Sequence, residues 1–384
     1  MRFSVDAHAI GQHLTGNETY VRNLLNCYAN LDGDSDFIAY LSRRAAFDSV
    51  PDRFEKALVP ENPFLRLGFA LPNRLRRDRP DLIHVQYTAP VWCPVPVVVS
   101  VHDVSFLEHP EYFTRFRAIQ LRLTVRQTVH AAAQVLTCSE FSKQGIVRAY
   151  GLDEEKIRVI SNAASAAFRP LPRESSMRWA HAHFGFTFPF VLTVGDLQPR
   201  KNHLKLIQAF EEVLRAQPKL PHHLVMVGKE TWYSHTVRTA AAKSPVADRI
   251  HFTNFVEDDA LIKLYGACDL FVYPSLYEGF GLPILEAMAC GRAVACSNST
   301  AMPEVADSAA LLFDPESVPE MARAMRDLLV DPALRAHMER LGLQRATLFS
   351  WEKTARDTLD VYYEVAERAG AVRPRARSVS MARS

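Results

Sequence analysis

The chain of 384 residues lacks any real excess of charge, with 45 lysines and arginines against 43 aspartates and glutamates and a formal net charge of +2. So even a balance gives no support to bulk nucleic-acid binding, and any basic function must be local. Paired cysteines are also lacking. Cys27, Cys93, Cys138, Cys268, Cys290 and Cys296 form no C-x-x-C pair, and most lie in apolar runs where cysteine acts as a small hydrophobe, so reduced thiols in a cytoplasmic protein are expected. No apolar run approaches the roughly 18 residues of a membrane span. The opening MRFSVDAHAI reads as a strand and not as the apolar core of a signal peptide, so neither spanning nor export by that route is expected. The alternating aspartates of Asp32-Gly33-Asp34-Ser35-Asp36 lack the rest of a calcium loop, because Phe37 and Arg43 stand where glycine and glutamate are needed. A solvated turn is the better reading, and no metal site is expected.

What is present is a regular alternation. With 48% hydrophobic residues the chain can fill two ordinary cores. Strand-like runs are predicted at 2–6, 37–41, 82–85, 95–101, 134–137 and 157–160, separated by helical patterns at 17–31, 64–77, 113–133 and from a Ser139 cap to about 150. A proline-bearing stretch over 162–189 looks like a domain boundary. The alternation then restarts, with strands at 190–194, 223–227, 250–252, 270–273, 293–296 and 309–313 and helices at 204–216, 231–243, 259–267 and 282–290. Strand and helix in turn imply parallel sheets covered on both faces, an α/β chain with two doubly wound domains facing across a cleft. Boundaries are expected at 1–165, 166–350, 351–369 for a last helix, and 370–384 for a disordered basic tail.

In such sheets ligands bind beyond the carboxyl ends of strands, so the residues following strands are the ones to read. The stretch DLFVYPSLYEGFGLPILEAMACGRAVAC carries two glutamates, Glu278 in a loop with Gly279 and Gly281, and Glu286 in the first turn of the helix that Pro283 opens. Small residues let a ligand approach the backbone, and a helix N-terminus favours an anion. Carboxylates do not bind phosphate but can grip neighbouring sugar hydroxyls. Next to the earlier strand, Gly195-Asp196-Leu197-Gln198-Pro199-Arg200-Lys201-Asn202 brings two cations to a helix that Asn202 can cap. The combination suggests a nucleotide-sugar, its diphosphate met by Arg200 and Lys201 in place of a metal. Gly228 and Lys229 follow a third strand, where a tight turn and a place near the base or phosphate are equally good readings. In the first half, His102-Asp103 ends a buried strand, where histidine can donate to a sugar hydroxyl or shuttle a proton. Gly16 could let the backbone approach a phosphate, or be a plain loop glycine. Residues 63–79 mix Phe64, Leu65, Leu67, Phe69 and Leu71 with Arg66, Arg74, Arg76, Arg77 and Arg79. Such a segment is either a core helix with a solvated basic face or one that lies on an anionic membrane.

Together these residues resemble glycosyltransferase family 4, the retaining nucleotide-sugar transferases of the two-domain GT-B fold, including the bacterial mannosyl and glucosyl transferases. The resemblance rests on Glu-x7-Glu from Glu278 to Glu286 inside YPSLYEGFGLPILEAMACG, on Pro303-Glu304-Val305, on PRKN at Pro199 to Asn202, on His102-Asp103, and on SEFSK at Ser139 to Lys143. It implies that Glu278 holds the transferred hexose, Glu286 the donor ribose, Arg200 and Lys201 the diphosphate, and His102 the sugar, with donor contacts also from Gly195, Gly279, Phe280, Gly281 and Leu282. It implies a last helix that crosses back onto the first domain, no cofactor beyond the nucleotide-sugar donor itself, and a glycan or lipid-linked acceptor at the inner face of the membrane. The sequence departs from the family where Asp196 replaces a common arginine and where the N-terminal glycine pair is reduced to Gly16 alone. Those departures leave room for a catalytically silent, nucleotide-sugar-binding regulatory or scaffold protein.

Overall fold

The computed structural model describes residues 1–12 and 15–371. The expected basic tail therefore lies almost wholly outside the described residues. Seven strands form the first sheet: β1 (Arg2–Asp6), β2 (Asp36–Leu41), β3 (Glu55–Leu58), β4 (Leu82–Gln86), β5 (Val97–Ser100), β6 (Gln134–Thr137) and β7 (Ile157–Val159). Six form the second: β8 (Phe190–Val194), β9 (His223–Val227), β10 (Ile250–Asn254), β11 (Leu270–Tyr273), β12 (Val294–Ser297) and β13 (Leu311–Phe313). All pairings are parallel, in the orders β3-β2-β1-β4-β5-β6-β7 and β10-β9-β8-β11-β12-β13. Both sheets start at an inner strand, wind outward to one edge, return, and wind to the other. Each therefore has one point of reversal, between β1 and β4 and between β8 and β11. β5 and β11 are buried along their whole length, as expected of strands covered on both faces.

The last helix, Trp351–Arg368, belongs to the first half by packing, although it follows the second in sequence. Val361, Tyr362 and Val365 join Phe3, Leu24 and Tyr28 in one core. Its polar side pairs Glu364 with Arg158 through two 3.0 Å contacts and sends the Tyr363 hydroxyl to Asp32 at 2.6 Å. Asp32 also accepts the amides of Asp34 and Ser35, so the aspartate-rich turn is a hydrogen-bonded corner.

Three expectations need correction. β3 was not anticipated, because Glu55-Lys56-Ala57-Leu58 sits at the sheet edge and only Ala57 is buried. The helix expected over 64–77 is broken into Pro63–Leu65, a π-type segment Arg66–Ala70 and Leu71–Asp78. Within it Leu71 and Leu75 are buried, while Phe64, Leu65 and Phe69 are exposed. Arg66 is not part of a basic surface, since it is buried 3.5 Å from Asp6. Asn202 stands at the start of the helix His203–Ala216 without capping it. Its side chain instead donates to the carbonyls of Pro274 and Pro315 at 3.1 and 2.8 Å, tying two loops together. Among the described residues no helix is long and apolar enough to cross a membrane.

Candidate active site

The loops leaving β8 and β11 meet where the second sheet reverses. After β8 the chain enters a single 3₁₀ turn, Pro199–Lys201, whose proline suits its first position and which presents Arg200 and Lys201 side by side. Glu278, from the loop after β11, meets both cations, with Oε1 2.7 Å from Arg200 Nη1 and 2.7 Å from Lys201 Nζ. Behind them Lys201 donates to the Tyr273 hydroxyl at 2.8 Å, and Arg200 donates to the Tyr277 carbonyl at 3.2 Å. The Glu278 amide donates to Thr300 Oγ1 at 3.2 Å, which fixes the backbone that carries the carboxylate. The side chains of Lys201 and Glu278 are only 10% and 11% exposed, and buried charges persist only when paired. Burial works to raise the Glu278 carboxyl, but Arg200 and Lys201 overcome it and hold the group at about 2. Burial draws Lys201 below the ordinary lysine range in spite of Glu278. One carboxylate against two cations leaves this trio net positive, which suits an anionic ligand.

Glu286 is held differently. It is the fifth residue of the helix Leu282–Ala289, so it lies in the second turn and not in the first as expected. The Tyr265 hydroxyl donates to its Oε2 at 3.1 Å. Burial pushes its carboxyl up to about 7, against the Tyr265 hydrogen bond and with help from the charge of Asp258. Glu286 opens on a polar cavity of about 180 Å³ that it shares with Thr19, Arg22 and Asn23 of the helix Thr15–Leu31. Arg22 reaches across to Asp258 at 3.1 Å, so this cavity lies between the two halves. Gly16, on the same helix one turn earlier, is exposed, with open space where a side chain would stand.

In the first half His102 follows β5, edge-on to Tyr20 with ring centroids 4.7 Å apart. Its Nε2 lies 3.0 Å from Gln86 Oε1, and the Gln86 amide nitrogen donates to the Asn17 carbonyl at 3.1 Å. With the amide so oriented, Nε2 must carry the proton and Nδ1 is an acceptor. Burial lowers the imidazole to about 4, although Asp103 opposes this. In this geometry the neutral ring presents a bare Nδ1, which can accept a hydroxyl hydrogen. Asp103 does not pair with it. Asp103 Oδ1 accepts from the Ser105 amide at 2.9 Å and its hydroxyl at 2.6 Å, holding the turn into the helix Ser105–Glu108.

The glycines serve close approaches within the protein. A side chain at Gly279 would collide with the His102 carbonyl, so what comes near this backbone is the first half of the chain. The Gly279 carbonyl accepts from Ser139 Oγ at 2.7 Å and Ser142 Oγ at 3.1 Å. Gly281, with φ +112, lets the chain turn into its helix. Leu282 begins that helix, and Phe280 is buried edge-on to Phe349. Gly195 packs against the Lys201 stem, and a side chain at Gly228 would strike the Gly195 carbonyl. Lys229 lies over the Phe255 ring, 4.9 Å from its centroid, and its amide donates to Asp196 Oδ1 at 3.1 Å. Asp196 therefore ties the turn after β8 to the turn after β9.

Sequence reasoning did not anticipate the supporting residues Tyr265, Tyr273, Tyr277 and Thr300, whose roles come from tertiary placement. Glu304 is another. Its carboxylate accepts the amides of Glu140 and Phe141 at 2.9 and 2.7 Å, capping a first-half helix from the second half. Its presence in Pro303-Glu304-Val305 was the available signal. Among the described residues no group of three His, Cys, Asp or Glu side chains could hold a metal ion.

Two facing parallel sheets, with an anion-favouring site at the reversal point of the second, define a GT-B glycosyltransferase. A family model described as Glycosyltransferase Family 4 matches residues 14–168, and one described as Glycosyl transferases group 1 matches residues 182–345. O-antigen chain mannosyltransferase B of Escherichia coli is 32% identical over 295 residues, 77% of this chain and 72% of that protein. The serotype-specific mannosyltransferase WbdA of the same species is 32% identical over 58% of this chain, although the match spans only 28% of that longer protein. The structure of Anabaena HepE in complex with UDP and glucose superposes with a TM-score of 0.76 at 20% identity, over 95% of this chain and 100% of that one. The chain belongs to glycosyltransferase family 4.

Proposed function

We propose that the protein transfers a hexosyl group, with retention, from GDP-mannose or a UDP-hexose to a glycan or lipid-linked acceptor in cell-surface polysaccharide synthesis. The observation that carries this reading is Glu278 gripped between Arg200 and Lys201 at the reversal point of the second sheet. A donor diphosphate competes with Glu278 for the same two cations, and a carboxylate so displaced is free to take hydroxyls of the attached hexose. The cations then offset the charge that develops on the leaving diphosphate as the C1–O bond breaks, without a metal. The acceptor hydroxyl attacks C1 on the face the diphosphate leaves, and its proton passes to the departing phosphate oxygen. Glu286 accepts from the ribose hydroxyls, and His102 Nδ1 accepts from a hexose hydroxyl. Residues 166–350 hold the donor in this reading, and residues 1–165 the acceptor. The names of the mannosyltransferase relatives favour mannose, while the UDP in the HepE structure keeps UDP-hexoses in view.

The test is a transfer assay with GDP-mannose and UDP-hexoses, with and without EDTA. Nucleoside diphosphate should appear only when acceptor is added, the product should keep the donor's anomeric configuration, and chelator should change nothing. Donor binding with no release under any acceptor would replace this reading by that of a silent binding protein. Loss of transfer in EDTA, restored by magnesium or manganese, would remove Arg200 and Lys201 from the diphosphate. The same reading puts the protein at the cytoplasmic face of a membrane, with exposed Phe64, Leu65 and Phe69 beside Arg74, Arg76 and Arg77 touching the lipid. Flotation with anionic vesicles that is indifferent to salt and to serine at the three arginines would remove that contact.

A further inference from the structure

A cavity of about 450 Å³ opens on the first half, outside the donor cleft, between the helices Ser105–Glu108, Arg115–Ala131 and Glu140–Tyr150. Its floor is apolar, with Phe106 and Ala118, Ile119 stands at its mouth, and its rim carries the exposed Arg122, Arg126 and Arg148. Among the described residues one carboxylate answers these three cations. That group, Glu108, is 3.6 Å from Arg148 and already accepts the Tyr277 hydroxyl at 2.9 Å. The Tyr150 hydroxyl at the cavity wall is buried and has no hydrogen-bond partner among the described residues. The helix Arg115–Ala131 contains no acidic residue, and it exposes Phe116, Ile119 and Leu123 by 71%, 61% and 65%. Those three positions fall on one stripe of the helix that runs out from the cavity mouth at Ile119.

An apolar floor, an arginine rim and an apolar stripe leading away together match an amphiphile with an anionic head. Arginine forks suit phosphate oxygens in particular. We propose that this cavity binds the phosphate of a single phosphorylated lipid, whose hydrocarbon chain leaves along Phe116, Ile119 and Leu123. The site is separate from the Arg200, Lys201 and Glu278 trio and stands whether or not the transfer reading holds. It touches that trio at one remove, because the Tyr277 hydroxyl on Glu108 belongs to the residue before Glu278.

Calorimetry with farnesyl phosphate as the probe, below its aggregation concentration and without donor, tests the site. Farnesyl phosphate should bind at least ten-fold more tightly than farnesol or inorganic phosphate, since the head and the chain are both recognised. A protein with Arg122→Ser and Arg126→Ser should lose at least another ten-fold, with an unchanged melting temperature and unchanged nucleotide binding, because both arginines are exposed and lie off the donor cleft. Tyr150→Phe, which keeps the wall intact, should weaken the phosphate probe and leave farnesol alone. Equal affinity for farnesol, or equal affinity of the double variant, would overturn the proposal. So would flotation of the wild type with phosphatidylglycerol vesicles without farnesyl phosphate binding, because the arginines would then be reading a membrane surface and not a single lipid.

Discussion

The two sheets share one winding order and differ in what each places at its point of reversal. The first ends β1 in Asp6, paired with the buried Arg66, and beside that pair sets a neutral network in which His102 is held by Gln86 and enclosed by Tyr20 and Tyr87. The second puts a net-positive trio there, Glu278 held between buried Lys201 and half-buried Arg200. A neutral network can meet a hydroxyl without reorganising, whereas a buried charged trio exchanges partners when an anion arrives. The halves differ on the outside as well. Most of the large exposed apolar residues, among them Phe64, Phe69, Trp92, Phe116 and Leu123, lie on the first half. One topology thus carries a charged, inward-facing half and a half whose outer surface is apolar and basic.

The strongest way to break this comparison is to remove one charge from the trio. Lys201→Met leaves Glu278 with Arg200 alone and takes a cation from the site of the leaving diphosphate. Transfer should fall by about two to three orders of magnitude. Stability should drop by about 3 kcal/mol, the lower end of the range for breaking a buried pair, because Arg200 still faces the carboxylate. Gln86→Leu, at the matching place in the first half, should cost far less on both counts in the same kinetic and thermal measurements. Equal losses would mean that the two reversal points do similar work.

A finer test separates Glu278 from its cations. In Glu278→Gln the two cations lose their internal counter-charge while the hexose loses a charged partner. Turnover should fall about ten-fold to a hundred-fold, from the roughly 1.5 to 3 kcal/mol of one charged hydrogen bond. Affinity for the free nucleoside diphosphate should hold or improve, since nothing then competes for Arg200 and Lys201. Calorimetry and steady-state kinetics on one preparation decide it, and weaker nucleotide binding with unaltered turnover would reverse the assignment.

The fold was legible in the sequence wherever a strand is buried on both faces. The runs at β6, β8, β9 and β11 read at their observed limits because burial makes them mostly apolar. β3 escaped because an edge strand with one buried residue leaves no such trace. The segment around Arg66 misled because its arginine serves Asp6 from inside the protein, a pairing that spans sixty residues. In the site, the prominent residues Arg200, Lys201, Glu278 and Glu286 were all legible from their places after strands. The direct contact of Glu278 with Arg200 and Lys201 was not, nor was the tyrosine shell formed by Tyr265, Tyr273 and Tyr277. Gly279 was read as an opening for a ligand and Gly228 as either a tight turn or a place near the base or phosphate, and both lie against backbone of the protein itself.

The smallest effect expected is one of pH, and it bears on the same contrast. His102, lowered to about 4 by burial, stays neutral across the physiological range and should contribute no slope there. Glu286, raised to about 7 by burial, changes charge within it. Only the ionised carboxylate offers two acceptor oxygens to the ribose hydroxyls, so removing the proton favours binding. As pH rises from 6 to 8 the ionised share of a group near 7 goes from about one tenth to about nine tenths, and affinity should rise about ten-fold. The ligand must be an intact nucleotide-sugar, whose diphosphate has no proton to lose in this interval, since a free terminal phosphate titrates near 6 and would add a slope of the same sign. Titrations of donor binding between pH 6 and 8 should show the rise in the wild type and a flat profile in Glu286→Gln. A slope that survives in the variant would pass the titration to another group, and a slope lost in Gln86→Leu would return it to the first half.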